Sequence, residues 1–282
     1  MTRRALLASL AAGLTTACSP LSAFATLAPK DPARRAGAGL PYGGHPRQRM
    51  DFYQPRQAAG RAPVHVFFYG GNWNSGRRQD YGWVGQALAA QGFLAVVPDY
   101  RLVPEVRYPG FVEDGAAAVA EARRLASDLG GDPERVVVSG HSAGAYIAAM
   151  VALDPRWLQA AGAPPVRAFA GLSGPYDFYP FDVPASREAF AGAPDPGRSQ
   201  PVNLPLRNPP PTFLAHGSRD QLVGVHNSRN LARRLEAAGG EVDFKLYEGL
   251  DHKDTVLALS RPFRGKASLL GDMTRFLKAH LD

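Results

Sequence analysis

Residues 135–150 read RVVVSGHSAGAYIAAM. Three consecutive valines lead into a cluster of small residues, which opens an alanine-rich run without a charged side chain. The valines predict a buried β-strand and the alanine-rich run a helix, so Ser142 falls in the turn between them. Gly140 and Gly144 stand two residues to either side of it. Side chains at those places would keep strand and helix apart, and the spacing G-x-S-x-G fits a strained turn that lifts a serine hydroxyl above a sheet. The first N–H groups of the helix then face that hydroxyl and favour negative charge beside it. Ser142 is the candidate nucleophile, and its neighbour His141 is read as structural.

Outward from this turn, strands and helices alternate. VHVFFYG (64–70), FLAVVPDY (93–100), VRAFAGLSG (166–174), PTFLAHGSRD (211–220) and VDFKLYEG (242–249) read as strands, and QRMDFYQP (48–55) as an edge strand stopped by Pro55. Apolar residues at helical intervals mark 81–92, 111–131, 226–240 and 266–281. Near-continuous apolar strands alternating with helices predict an α/β fold, a mainly parallel sheet covered on both faces. Its ligands bind beyond the carboxyl ends of the strands.

A serine nucleophile needs a base, and the base an orienting carboxylate. Of the seven histidines, His252 in EGLDHKD lies between the last strand and the next helix, from which it can reach Ser142. Asp220, in the loop after PTFLAHG, is the candidate acid, with Asp177 its rival; Asp251 and Asp254 are read as neighbours of the base. FFYGGNWNSG (67–76) supplies the remaining part, a strand end whose paired glycines let N–H groups turn inward. The N–H groups of Gly71, Asn72 and Ala143 are the expected oxyanion donors. Trp73 either walls the pocket or fills the core.

About forty residues between Gly171 and Thr212 carry no clean strand. An insertion of this length, at about 172–210, generally has a task. A short helix is expected near SREAFAG, and Tyr176, Phe178, Tyr179 and Phe181 either line a pocket or fill a local satellite core.

The chain has 282 residues, 45% of them hydrophobic, enough for one sizeable core. Its formal charge of +7 comes from scattered basic residues with no stripe, which argues against nucleic acid as a partner. MTRRALLASLAAGLTTACSP has the charged start and short apolar run of an export signal. Residues 1–28 are therefore assigned to the signal and lead-in, 29–47 to an irregular segment, and 48–282 to one catalytic domain. TRRALL resembles a twin-arginine signal. Cys18 stands where a lipoprotein is cleaved after Ala17 and lipidated, which would attach the protein to a membrane; cleavage after Ala25 is the alternative. The expected location is periplasmic or membrane-anchored, with secretion as the alternative. With a single cysteine, no disulfide within the chain can form. No Cys/His cluster or H-E-x-x-H motif points to a metal, and no cofactor is expected.

Taken together, DFYQP, VFFYGGNWNSG, VVPDYRLVPEVRYPGFVEDGAAAV, GGDPERVVVSGHSAGAYIAAM, GLSGPYD, LAHGSRDQLV and DHKD resemble the α/β-hydrolase fold-3 serine carboxylesterases. The resemblance is to the group of bacterial esterases, isoprenylcysteine methylesterases and arylformamidases, and spans about residues 48–254. It implies an α/β-hydrolase fold, a Ser142–Asp220–His252 triad in that family's chain order, and a small-molecule ester substrate of short to medium chain. Arylformamide hydrolysis, or a binding protein on a hydrolase fold, is the alternative. The family's H-G-G motif is altered, since Tyr69 replaces its histidine and Asn72 the third glycine of the fuller form. Asp99, Tyr100 and Arg101 fall where that group braces the region near the elbow.

Overall fold

The computed structural model describes residues 20–57 and 60–281. Cys18 and the proposed export signal up to residue 19 lie outside the described residues. Eight strands form one sheet in the order β1-β2-β4-β3-β5-β6-β7-β8. They are β1 (Ala33–Pro41), β2 (Arg49–Pro55), β3 (Ala62–Phe68), β4 (Leu94–Pro98), β5 (Gly131–His141), β6 (Ala168–Leu172), β7 (Thr212–Gly217) and β8 (Val242–Tyr247). β1 and β2 pair antiparallel, as do β2 and β4, and every other neighbouring pair is parallel. The α/β-hydrolase architecture expected from the strand–helix alternation is the one observed.

Two expectations at the amino-terminal side need correction. DFYQP is not an edge strand, because β1 covers β2 and occupies much of the segment 29–47 read as irregular. The sequence of β1, ARRAGAGLP, has no β-branched residue and its register shifts twice. Asp51 on β2 holds it in place, accepting from the Arg35 guanidinium at 2.7 Å and from the Gly39 N–H at 2.7 Å. Residues Pro20–Leu27, within the stretch assigned to signal and lead-in, form a helix, α1, and Leu21, Phe24 and Ala25 pack against the core.

Helices α2 (Gly82–Ala90), α3 (Gly110–Ala126), α4 (Ala143–Leu153), α7 (His226–Ala237) and α9 (Leu269–Ala279) fall where periodicity predicted them. Between the last two lies α8 (Asp254–Leu257), a single turn after His252. α4 is apolar all round, and Ala143 to Val151 are all buried. Such a helix has no solvent face and belongs to the interior. Its small residues let it lie close to the sheet: a Cβ on Gly144 would come within 2.1 Å of the Phe68 carbonyl oxygen, and one on Gly140 within 2.3 Å of the Gly144 oxygen. Both contacts are backbone and cannot yield by a rotamer change. Gly144→Ala is therefore expected to destabilise by ~3 kcal/mol, the upper range for an overpacked core. A thermal midpoint equal to the parent's would show that β3 and α4 are not in this contact.

The 172–210 insertion is largely irregular but holds a six-residue helix, α6 (Pro184–Ala189), near the expected SREAFAG.

Candidate active site

β5 delivers Ser142 with φ 54° and ψ −125°, a conformation outside the regions that L-residues favour. The strain is held from both sides: the Ser142 N–H donates to the Leu172 carbonyl at 2.9 Å, and its carbonyl accepts from the Tyr146 N–H at 3.2 Å in the first turn of α4. The hydroxyl thus stands at the carboxyl end of the sheet, at the amino terminus of a buried helix.

Asp220 lies in the loop after β7 and His252 in the loop after β8. The loops are stitched together, with Ser218 N–H donating to the Tyr247 carbonyl and Arg219 N–H to that of Leu250, each at 3.0 Å. A Cβ on Gly217 would lie 2.4 Å from the Leu250 oxygen, so this approach requires glycine. His252 Nδ1–H then donates to Asp220 Oδ2 at 2.8 Å. The other carboxylate oxygen accepts the N–H groups of Leu222 at 3.0 Å and Val223 at 2.9 Å. Burial alone would raise the Asp220 carboxyl, but the hydrogen bonds from His216, His252 and Val223 outweigh it and hold it well below the usual carboxylate range.

Sequence reasoning passed over two supports of this pair. His216 Nε2 lies 2.8 Å from the Val223 carbonyl and 3.2 Å from Asp220 Oδ2. A carbonyl only accepts, so Nε2 carries the proton and Nδ1 accepts from the Ser228 hydroxyl at 2.8 Å. His141, rather than merely pointing away, donates from Nε2 to the His252 carbonyl at 2.9 Å and packs its ring 4.8 Å from the His252 ring. The Thr255 hydroxyl donates to the same carbonyl at 2.9 Å. The backbone of His252 is clamped from two elements, while its side chain is fixed by Asp220.

The clamp needs a neutral His141, and burial, assisted by the nearby His252, lowers it from 6.5 to about 3. His65, buried on β3 against Ser139 Oγ at 2.6 Å, is lowered by burial to about 3 as well. Unfolding frees both groups to protonate near 6.5, so the unfolded state binds more protons throughout the interval from 6.5 down to about 3. Stability from each is complete above pH 6.5 and falls by about 1.4 kcal/mol per pH unit below it. The urea midpoint is expected to drop between pH 7 and pH 5, well above the range in which Asp220 titrates. An unchanged midpoint would contradict neutral burial of these two histidines.

The loop after β3 carries Gly71 at φ 141°, Asn72 at φ 52° and Trp73 at φ 58°. A Cβ on Gly71 would lie 2.3 Å from the Ser75 carbonyl oxygen. The Gly71 carbonyl is turned into the loop and accepts from Asn74 and Ser75 N–H at 3.0 Å, while the N–H groups of Gly71 and Asn72 have no acceptor among the described residues. Tyr69 braces the loop from beneath: its ring stacks between Tyr81 and Tyr100, and its hydroxyl donates to Asp99 Oδ1 at 2.7 Å. Asp99 also accepts from the Arg78 N–H at 2.6 Å, and the Tyr100 hydroxyl donates to the Tyr69 carbonyl at 2.9 Å. Arg101 forms an ion pair with the buried Asp114 at 2.7 Å.

Two cavities meet at Ser142, with Asn72 and Leu222 also common to both. The first, about 490 Å³, is bordered by Trp73, Ala143 and Phe178 and by the polar side chains of Asp177, Gln221 and His226. The second, about 430 Å³, is bordered by His252, Leu21, Phe24, Val256 and Phe263. Trp73 is both wall and core, stacking on Phe111 and Phe178. Tyr176 lines neither cavity: it is fully buried, with its hydroxyl against Gly171 and Gly174, so the expected pocket role gives way to packing. Asp177, the rival acid, accepts from the Asn230 amide at 2.6 Å instead. Cys18 lies outside the described residues.

A sequence profile described as alpha/beta hydrolase fold matches residues 65–255. Isoprenylcysteine alpha-carbonyl methylesterase ICME of Arabidopsis thaliana is 29% identical over 88% of this chain and 63% of its own length. Esterase LipC of Mycobacterium tuberculosis is 32% identical over 75% of this chain and 58% of its own. The chain thus spans between 52 and 63% of the length of these and two further methylesterase relatives. Among solved structures, a hyperthermophilic esterase from the archaeon Pyrobaculum calidifontis superposes with a TM-score of 0.74 at 22% identity, over 92% of this chain and 88% of that one. With two thirds of its length matched by the profile, and the nucleophile, acid and base loops on successive strand ends, the chain belongs to the alpha/beta hydrolase fold family.

Proposed function

We propose that this protein hydrolyses carboxylic esters of small molecules through an acyl-enzyme on Ser142. The observation that carries the reading is the Asp220–His252 pair, closed at 2.8 Å, bordering the same cavity as a serine held in a strained turn. The names of the relatives, an esterase and a methylesterase, support it.

His252 Nε2 takes the hydroxyl proton as Ser142 Oγ attacks the ester carbonyl. Negative charge on the carbonyl oxygen is received by the N–H groups of Gly71, Asn72 and Ala143, the last at the amino end of α4. Collapse breaks the carbon–oxygen bond, and the imidazolium returns its proton to the departing alcohol. Water attacks the acyl-enzyme by the same route and releases the acid. Asp220 keeps the proton on Nδ1 and offsets the imidazolium charge throughout.

The test is covalent labelling of the purified protein with a fluorophosphonate, followed by initial rates on p-nitrophenyl acetate, butyrate, octanoate and palmitate, a feruloyl ester and N-formylkynurenine. Labelling at Ser142 with turnover of the shorter esters supports the reading. Preference for the formamide would move it to arylformamidase, and an unlabelled Ser142 would remove it. We propose also that the chain is exported, on the strength of its charged, then apolar, amino terminus; fractionation of producing cells checks this.

A further inference from the structure

We propose that the second cavity receives the alcohol half of the ester, and that Leu21 and Phe24 on α1 are specificity-determining walls for it. The proposal rests on the ester-hydrolase reading above. In the tetrahedral intermediate three directions are fixed by chemistry. The oxyanion faces the Gly71, Asn72 and Ala143 N–H groups, the departing oxygen must lie where His252 can protonate it, and the acyl chain takes what remains. His252 borders the second cavity and not the first; Ala143 borders the first and not the second. The alcohol therefore extends under α1, and the acyl chain toward Trp73 and Phe178.

The linings differ in the same sense. Around the second cavity Leu21, Phe24, Val256, Leu257 and Phe263 present hydrocarbon. Asp177, Asp182, Gln221, His226 and Asn227 surround the first. An apolar alcohol joined to a short or polar acid matches both, whereas a methyl ester would leave the hydrocarbon walls of the second cavity unused.

α1 is docked well enough to serve as a wall. The Phe24 ring meets Trp83 edge-on at 5.4 Å and lies 5.8 Å from Phe263. Arg77 donates to the Ser22 hydroxyl at 3.1 Å, and just beyond the helix Asp31 holds Arg264 through both carboxylate oxygens, at 2.7 and 3.0 Å. Cleavage after Ala25 would cut through α1 and strip Leu21 and Phe24 from the site. The wall exists in the mature enzyme only if processing falls before Leu21.

The experiment compares kcat/KM along two series on the full chain: methyl, butyl, hexyl and octyl acetate, and ethyl acetate, butyrate, hexanoate and octanoate. For the parent, the acetate series should climb by about threefold to fourfold per methylene while the cavity fills, with a much flatter acyl series. Phe24→Ala should lower the hexyl-to-methyl ratio by about tenfold, chiefly through KM. Leu21→Trp fills the cavity without undocking Phe24 and should shift the optimum to a shorter alcohol. If these variants alter the acyl series instead, or neither series, the assignment is overturned. An exported enzyme whose amino terminus is Thr26 overturns it too. Turnover of neither series, with Ser142 unlabelled by fluorophosphonate, removes the hydrolase reading itself; a labelled enzyme blind to alcohol length removes only the subsite.

Discussion

Ser142→Ala is expected to lower kcat on p-nitrophenyl butyrate by roughly 10⁵–10⁶-fold, the scale at which loss of a triad nucleophile operates. The substitution keeps Cβ and alters neither of the backbone bonds that hold the turn, to Leu172 and from Tyr146. The thermal midpoint should therefore stay close to the parent's, which separates loss of chemistry from loss of fold. A small residual rate above water would persist, since the Gly71, Asn72 and Ala143 N–H groups still face a bound carbonyl. A variant that turned over at the parent's rate, or still took up fluorophosphonate, would place the nucleophile elsewhere.

Asp220→Asn is expected to cost roughly 10⁴-fold in kcat. One oxygen of this carboxylate takes protons from His252 and His216, and the other from two backbone N–H groups. An amide has only one accepting end, so its NH₂ meets donors whichever way it turns. Either the loop N–H groups or the two imidazoles lose their acceptor, and His252 loses the partner that fixes its tautomer. The carboxylate also contributes stability. Its folded value is depressed, so the contribution is present above about pH 4 and is lost only as pH falls through the folded value. The asparagine variant should thus be less stable than the parent at pH 7 and show less acid sensitivity below pH 4. Kinetics within tenfold of the parent would transfer the acid's role to another residue.

The parts legible in the sequence share a property: each is carried by a short local pattern at a strand end. VVV before GHSAG, FFY before GG, and the loops after PTFLAHG and VDFKLYEG announce strand, turn and loop within ten residues, and the parallel topology then brings their ends together. What stayed hidden depends on contacts across the fold. β1 has no strand pattern and is held through Asp51, a residue of the next strand. Tyr176 looked suited to a pocket, yet Gly171 and Gly174 leave room for its ring in the core. His141 and His216 act through the backbone of His252 and the side chain of Asp220, partners that lie 111 and four residues away. α1 reads as the end of an export signal, because the rings that receive Phe24 lie far along the chain, on α2 and near α9.

α4 places the nucleophile at the head of a helix without a wet face. Local opening needs a segment that can detach cheaply, and a helix covered on every side offers none. Amide hydrogens in its later turns would then exchange only through global unfolding. A site built this way does not soften gradually as temperature rises. Whatever gives way first lies in the walls around the serine, so substrate preference would blur at temperatures where the bond-breaking step is still intact.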